Sequence, residues 1–379
     1  MFDYETLKMI WWCFVGVLII GFALTDGFDF GVGMLLPFVG KNDIERRIII
    51  NSIGPTWEGN QTWLITAGGA LFAAWPLAYA AAFSGFYAAL MLLLFSLFFR
   101  PVGFDYRSKV QDPRWRSAWD WALFTGGLVP ALLFGVAFGN LLLGVPFHFD
   151  DTMRLEYLGG ILGLLNPFGL LAGVLSVAML LMHGAAFLRT KTDGVIAERA
   201  AIAQMGGAIV TIMCFIAGGF WIAIGVNGFH VTHMPDPNTA FIPAAKTVEL
   251  LRGGWMSNYE QWPLLWIFPI AGVLGALISL LSARFDYRIS GFLGSGLAVA
   301  MIILTAGASM FPFVMPSSLD PNSSLTAWDV VASHKSLGVM FWVVLIFLPI
   351  ILIYTSWIYR VMRGKIDADH IAANEHSAY

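Results

Sequence analysis

The chain has 379 residues, of which 58% are hydrophobic and only 12% are charged, whereas about 25% of an ordinary soluble chain is charged. The mean hydropathy of +0.74 and this shortage of charge exclude a water-soluble enzyme, because too few polar groups remain to cover its surface. The 31 Phe and 15 Trp residues exclude a disordered chain. The net charge of −3 is evidence against a nucleic-acid partner.

The N-terminal run MFDYETLKMIWW has Asp3 and Glu5 ahead of its apolar part, and Lys8 is its only cation. A cleavable signal peptide needs a basic leader and a short apolar core, so we expect a spanning helix directly at the start. The two cysteines, Cys13 and Cys214, are too few for a disulfide framework, a zinc ribbon or an iron–sulfur cluster.

Nine segments are candidates for spanning helices, each of which needs about 20 mostly apolar residues. They lie at roughly 9–36, 60–78, 80–100, 121–145, 160–188, 203–226, 262–282, 290–314 and 337–359. Pro76 favours a tight break between the second and the third, and the first is long enough to be tilted or to protrude into water. The predicted fold is an all-α polytopic membrane protein, with residues 1–379 as one integral-membrane domain.

The positive charges are distributed unevenly between alternate loops. If the N-terminus is outside and the C-terminus inside, 16 of the 21 Lys and Arg residues fall in inner segments and five in outer segments. This split obeys the positive-inside rule at every loop. Eight spans would put both ends on one side and break the alternation, so the sequence predicts nine spans and a cytoplasmic C-terminus.

Ionisable side chains inside a membrane are costly, and their presence indicates function. Five of them fall in the inner half of the predicted spans: Asp26, Asp29, Glu58, Arg100 and Asp120. Carboxylates along a polar, cytoplasm-facing funnel can relay protons, and Arg100 would balance part of their charge. We predict that Asp29, Glu58, Arg100 and Asp120 form one connected cluster, which Asp26 extends inward from the same helix face as Asp29. The alternative is a structural ion-pair network that locks the helices together.

Three further features belong to this region. Asp105 and Lys109, four residues apart after the third span, are predicted to form the mouth of the funnel, or else a solvated loop pair. Trp57 and Trp63 are typical of an interfacial belt, and the alternative is contact with a quinone ring or lipid tail alongside Arg100. The small residues around Gly68-Gly69 favour close helix packing.

Histidine is scarce inside the spans. Only His183 lies in one, and we expect it to be a hydrogen-bonded interior residue. Haem within a bilayer usually needs one or two axial ligands, so the chain is expected to bind no haem of its own. His230 and His233, in the long loop 227–261, lack a third ligand nearby, and no metal site is predicted.

Several long runs resemble subunit II of the cytochrome bd quinol oxidases, and the resemblance extends from residue 2 to residue 379. They include TDGFDFGVGMLLPFVG, NSIGPTWEGNQTWLITAGGALFAAWPLAYAAAFSGFYAAL, SLFFRPVGFDYRSK and LTAGASMFPFVMPSS. The resemblance implies two four-helix bundles plus a peripheral helix, paired with a similar subunit I. Many family members have a histidine–acid pair before Gly59, where this chain has Trp57-Glu58.

The resemblance also implies an activity. The complex would lie in the bacterial inner membrane, oxidise quinol and reduce dioxygen to water with cytoplasmic protons, electrogenically but without pumping. Subunit I would hold two haems b, one haem d and the quinol-oxidising loop, and membrane lipid and small single-span subunits are further partners. Ubiquinol and menaquinol both stay open as donors. Two other classes stay open as well: a stand-alone secondary transporter or proton channel, which often shows inverted repeats, and a purely structural scaffold.

Overall fold

The computed structural model describes residues 2–373, which form fourteen α-helices and six short strands. The helices are α1 (Tyr4–Val39), α2 (Asp43–Ile53), α3 (Trp57–Ala74), α4 (Pro76–Gly85), α5 (Tyr87–Leu97), α6 (Phe99–Tyr106), α7 (Pro113–Leu143), α8 (Pro167–Lys191), α9 (Gly194–Ile224), α10 (Ser257–Gln261), α11 (Ile267–Arg284), α12 (Arg288–Met310), α13 (His334–Val361) and α14 (Ala368–Ala373). The strands are β1 (Phe147–Phe149), β2 (Leu155–Tyr157), β3 (Asn227–His233), β4 (Thr247–Arg252), β5 (Phe313–Met315) and β6 (Leu325–Thr326). Consecutive strands pair antiparallel as three separate hairpins.

Several helix starts follow directly from local sequence. The side chain of Asp3 accepts a hydrogen bond from the Thr6 amide at 2.9 Å and so caps α1. Asn166 does the same for α8, accepting from the Gly169 amide at 2.7 Å, and Pro167 then occupies the first turn. An acceptor side chain satisfies a free N–H at a helix start, and proline needs no donor there.

The polytopic all-α prediction is confirmed. Within residues 2–373, eight helical segments are long and apolar enough to cross a membrane. The predicted span at 60–78 corresponds to the 18-residue α3, which is not among those eight. The predicted break at Pro76 is present, since α3 ends at Ala74 and α4 begins at Pro76. The span at 80–100 is divided among α4, α5 and α6.

The long helices pack in two groups. Helices α8, α9, α11 and α12 contact one another, whereas α1 is packed against α3 and α7, and α7 against α5 and α6. Contacts of α1 and α7 with α8 join the two groups. Helix α13 lies outside both and packs mainly against α1. Only 11% of its most apolar stretch is buried, so most of this helix is left uncovered by the described residues.

The loops gather at two ends of the helices. At the hairpin end, which comprises residues 145–166, 225–262 and 311–333, the Tyr4 hydroxyl donates to the Ala332 carbonyl at 2.8 Å. At the arginine end, which comprises residues 40–56, 107–112, 192–193, 285–287 and 362–373, Arg199 pairs with Glu45 at 2.7 Å. The loops that the charge distribution assigns to alternate sides of the membrane therefore lie at two separate ends of the helices.

Helices α1 and α8 cross closely at two glycines. A Cβ atom on Gly184 would lie 2.5 Å from the Gly31 Cα and 2.6 Å from the Val32 nitrogen. In contrast, nothing lies within 4 Å of a Cβ placed on Gly68 or Gly69. The close packing expected of these two residues is absent within the described chain, because they face away from its other helices.

Replacing Gly184 with alanine is expected to destabilise the protein by about 1–3 kcal/mol, because two backbones must move apart. Gly206→Ala is the matched control, since its Cβ meets nothing within 4 Å, and it should stay within about 1 kcal/mol of the unchanged protein. Thermal unfolding of the purified protein checks both. Equal unfolding temperatures for the two variants would contradict the crossing.

Candidate functional site

A buried ion pair lies at the centre of the candidate site. Arg100, on α6, donates to both carboxylate oxygens of Asp26 on α1, at 3.0 Å and 2.5 Å. The two side chains are 4% and 0% exposed. A bidentate, fully desolvated pair fixes both partners in orientation. Helix α6 is thereby held against the middle of α1.

Asp29 lies one turn further along α1 and shares this arginine less closely. Its Oδ2 is 3.9 Å from Arg100 Nη2 and accepts a hydrogen bond from Asn60 Nδ2, on α3, at 2.8 Å. Its Oδ1 is buried and has no hydrogen-bond partner among the described residues. Asp26, Asp29, Asn60 and Arg100 form what we call the Arg100 cluster. When both carboxylates are ionised, it contains one more negative than positive charge, and a bound proton would balance that excess.

Aromatic rings surround the guanidinium group. Its central carbon lies 4.6 Å from the centre of the Phe30 ring and 5.4 Å from that of Trp57. Trp57 in turn stacks on Phe104, with the ring centres 5.0 Å apart. Such cation–π contacts favour a charge that has lost its water. They help to retain Arg100 in a buried position.

The two tryptophans predicted at the interface or against a quinone are buried among residues of this chain. Trp57 is 8% and Trp63 is 9% exposed, and Trp63 packs so tightly on α1 that a Cβ on Gly21 would lie 2.7 Å from its ring. The guanidinium group of Arg100 is already bonded to Asp26.

Asp120, expected in the same cluster, belongs to a second set of charges. Its carboxylate lies 2.6 Å from Arg107 Nε and 2.7 Å from Arg46 Nη1. Asp43 pairs with Arg107 at 3.0 Å and with Arg116 at 2.5 Å. These five residues are called the Arg107 network. The prediction of one connected cluster was wrong for Asp120, because its carboxylate pairs with Arg46 of α2 and with Arg107 of the turn after α6.

Glu58, Asp105 and Lys109 are exposed. Among residues 2–373, none of the three has a hydrogen bond or ion pair through its side chain. The predicted spacing of Asp105 and Lys109 does not produce a pair, because α6 ends at Tyr106 and residues 107–109 form a separate 3₁₀ turn. The structure therefore does not join Glu58 to the Arg100 cluster.

Two polar residues of these arrangements were missed in the sequence. Arg107 follows Arg100 by seven residues, or two helical turns, so a common face could have been anticipated. Asn60 stands two residues after Glu58 and is 3% exposed. Asparagine is uncharged, so the cost of burying charge in a membrane does not single it out. No pattern in the sequence pairs Asn60 with Asp29.

His183 is an interior residue, as predicted. Its Nδ1 lies 2.8 Å from the Ser295 hydroxyl, and its Nε2 lies 3.0 Å from the Leu24 carbonyl oxygen. The Phe292 ring stacks on the imidazole at 4.9 Å. Both ring nitrogens are committed to hydrogen bonds, so His183 does not fit the role of an axial haem ligand. Among residues 2–373, no group of three or more His, Cys, Asp or Glu side chains could hold a metal ion.

An apolar cavity of about 700 Å³ lies between the two helix groups. Aromatic residues from several helices line it, including Phe22, Phe134, Phe168, Phe215 and Trp266. Such a lining can hold an apolar molecule but provides few groups to orient a polar one.

Comparison with known proteins gives the family. Residues 7–362 match the family model described as cytochrome bd terminal oxidase subunit II. The chain belongs to this family. It is 55% identical to cytochrome bd-I ubiquinol oxidase subunit 2 of Escherichia coli strain K12, over 379 residues and the full length of both chains.

A more distant relative and a solved structure agree with this result. Cytochrome bd ubiquinol oxidase subunit 2 of Bacillus subtilis is 33% identical over 366 residues, which cover 95% of this chain and 97% of that one. The solved bd oxidase of Geobacillus thermodenitrificans contains a chain of the same fold, with a TM-score of 0.70 at 16% identity. The match covers 94% of this chain and 98% of that chain. None of these relatives is named as a stand-alone transporter or channel.

Proposed function

We propose that this chain is the haem-free subunit II of a quinol:oxygen oxidoreductase of the bacterial inner membrane. In this complex, the Arg100 cluster passes cytoplasmic protons toward the oxygen-reducing partner, subunit I. The observation that carries the proposal is the pairing of two buried carboxylates with a single arginine. Within the described part of the chain, one oxygen of these carboxylates has no hydrogen-bond partner. The two haems b, the haem d and the oxidation of quinol are assigned to subunit I, where they supply the electron transfer. No redox step is assigned to this chain.

The proposed orientation puts the arginine end in the cytoplasm and the N-terminus outside. The positive-inside rule supports it, since the arginine end brings together Arg46, Arg107 and Arg116 with their acidic partners. We count α3 as a ninth span, because it packs along α1 and its length of 18 residues is close to one membrane crossing. On this count residues 1–379 form one integral-membrane unit with α13 as its peripheral helix.

Within this orientation the predicted site residues have different parts. Asp29 accepts the proton, because its Oδ1 has no hydrogen-bond partner among residues 2–373. Asp26 holds Arg100 in place through two hydrogen bonds. The positive charge of Arg100 partly balances the negative charge of the Asp29 carboxylate, 3.9 Å away. Glu58, Asp105 and Lys109, all exposed, are the groups at which protons enter from water or leave toward the partner. Asp120 has a structural part, in the Arg107 network.

The apolar cavity is the proposed reservoir for dioxygen. It reaches α1 at Phe22 and Ala23, within one turn of Asp26. Dioxygen is small and apolar, so it partitions into such a space without hydrogen bonds. Subunit I, membrane lipid, quinol and small single-span subunits are the proposed partners of the assembled complex.

Replacing Asp29 with asparagine, or Glu58 with glutamine, is expected to slow oxygen consumption by about tenfold or more, since a lost relay group raises the barrier by roughly 1.4 kcal/mol for each factor of ten. The measurement is oxygen uptake per haem in the purified complex across a range of pH. Asp151→Asn is the matched control, because Asp151 is exposed at the hairpin end.

The haem spectrum separates a relay from a scaffold. A relay variant keeps its haem and turns over slowly, whereas a structural variant loses haem. If Asp29→Asn and Glu58→Gln both assemble normally and turn over like the unchanged complex at every pH, the proton-carrying role is wrong.

A further inference from the structure

The Arg100 cluster is connected to α13 by one hydrogen bond. The hydroxyl of Tyr359 donates to Asn60 Oδ1 at 2.6 Å, over a sequence separation of 299 residues. Asn60 Nδ2 then donates to Asp29 at 2.8 Å. Tyr359 also packs edge-on against Phe28, the residue before Asp29, with the ring centres 6.3 Å apart. Three helices, α1, α3 and α13, therefore meet at this amide.

The order of these bonds follows from the chemistry of the groups. An ionised carboxylate can only accept hydrogen bonds, so the amide nitrogen of Asn60 must face Asp29. The amide oxygen then faces Tyr359, whose hydroxyl is the donor. An asparagine amide does not readily pass a proton along, so Tyr359 is not itself a step in a relay. Its hydroxyl fixes which way the amide points.

That orientation matters because Asp29 has few other partners. Arg100 is 3.9 Å from it and is hydrogen-bonded to Asp26 instead. The second carboxylate oxygen has no partner among the described residues. The titratable and charged groups that face Asp29 are Asp26 from α1, Arg100 from α6 and Tyr359 from α13. Asn60 is the uncharged donor that reaches the Asp29 carboxylate, at 2.8 Å.

Tyr359 is also unusual within its own helix. Most side chains of α13 are exposed, and Tyr354, five residues earlier, is 61% exposed. Tyr359 instead is partly buried and turned toward the cluster. A side chain that served only to anchor α13 could be any apolar residue, as Leu337 is at the other end of the helix.

We infer that Tyr359 is a positioning residue for proton transfer, acting through Asn60 to keep a hydrogen-bond donor on Asp29. The inference rests on the proposed function, because it assumes that Asp29 carries the proton. It adds to the site a residue from α13, a helix that supplies none of the residues of the Arg100 cluster.

The test compares Tyr359→Phe with Tyr354→Phe in the assembled, membrane-reconstituted complex. Tyr359→Phe removes only the hydroxyl, and we expect oxygen consumption per haem to fall by about three- to tenfold, the effect of one hydrogen bond. Asn60→Ala should slow turnover at least as much, and the double variant should be no slower than Asn60→Ala alone. The pH dependence of turnover should change in both single variants, with the haem spectrum unaltered. Tyr354→Phe should behave like the unchanged complex.

The outcomes distinguish a failure of the role of Asp29 from a failure of the role of Tyr359. If Asp29→Asn turns over normally, Asp29 does not carry the proton, and the role of Tyr359 fails with it. If Asp29→Asn is slow but Tyr359→Phe matches Tyr354→Phe, only the positioning role is overturned. Independent, multiplicative effects of Asn60→Ala and Tyr359→Phe would also overturn it. The positioning role is also overturned if Tyr359→Phe loses haem while the oxygen consumption per remaining haem and its pH profile stay unchanged. That result indicates a merely structural contact.

Discussion

Arg100→Met is expected to destabilise the complex by about 3–5 kcal/mol, because removing one partner of a buried ion pair leaves the other charge desolvated and unpaired. Here two carboxylates, Asp26 and Asp29, lose the same cation. The methionine side chain is of similar length and cannot supply a donor. The measurement is thermal unfolding of the purified complex, followed by its haem absorbance.

The control for this variant is Arg116→Met. Arg116 is paired with Asp43 at 2.5 Å, but these side chains are 24% and 40% exposed. Solvent screening limits such a pair to about 1 kcal/mol or less. Adding Asp26→Asn to Arg100→Met should recover part of the loss, because one unpaired charge is removed. Similar unfolding temperatures for Arg100→Met and Arg116→Met would contradict the burial of the cluster.

Lys246→Met is expected to cause a comparable loss at the hairpin end, again about 3–5 kcal/mol. Lys246 and Asp329 lie 2.6 Å apart, and both side chains are fully buried. The pair fastens the loop that carries β3 and β4 to the segment before α13. Lys335→Met is the control, since Lys335 is exposed and its replacement should be nearly neutral.

This loss should depend on pH, with a sign that follows from Asp329. Burial raises the pKa of Asp329, although Lys246 beside it and a hydrogen bond from the Thr326 amide act in the opposite direction. Without Lys246, the carboxyl group binds its proton more tightly in the folded protein than in the unfolded protein. Stability of the variant is then highest at acid pH and falls as the pH rises through the folded pKa. Unfolding at pH 5 and pH 8 checks this, and an equal loss at both values would contradict it.

Much of the architecture follows from the sequence because the bilayer imposes simple rules. Long apolar runs predicted the long helices, and proline predicted the break between α3 and α4. The three-residue spacing of Asp26 and Asp29 put both on one face of α1, and Arg100 does contact both. These inferences rest on local spacing and on the cost of burying charge, which a single sequence displays directly.

The partners across helices could not be predicted in the same way. Depth in the membrane suggested that Asp120 joins Arg100, but depth does not specify direction around a helix, and Asp120 faces Arg46 and Arg107 instead. The contact between Asn60 and Tyr359 joins residues 299 positions apart, and no local pattern indicates it. The predicted depth of Glu58 in the membrane suggested that it also joins the Arg100 cluster, but its side chain is exposed on the surface of α3.

The central claim is that protons for oxygen reduction enter from the cytoplasm through Asp29. The most direct test measures proton uptake from the cytoplasmic side of reconstituted vesicles during a single turnover, with Asp29→Asn compared at equal haem content. We predict that uptake and oxygen reduction slow together, by about tenfold or more, and that Asp151→Asn leaves both unchanged. Proton uptake by Asp29→Asn at the rate of the unchanged complex would contradict the claim.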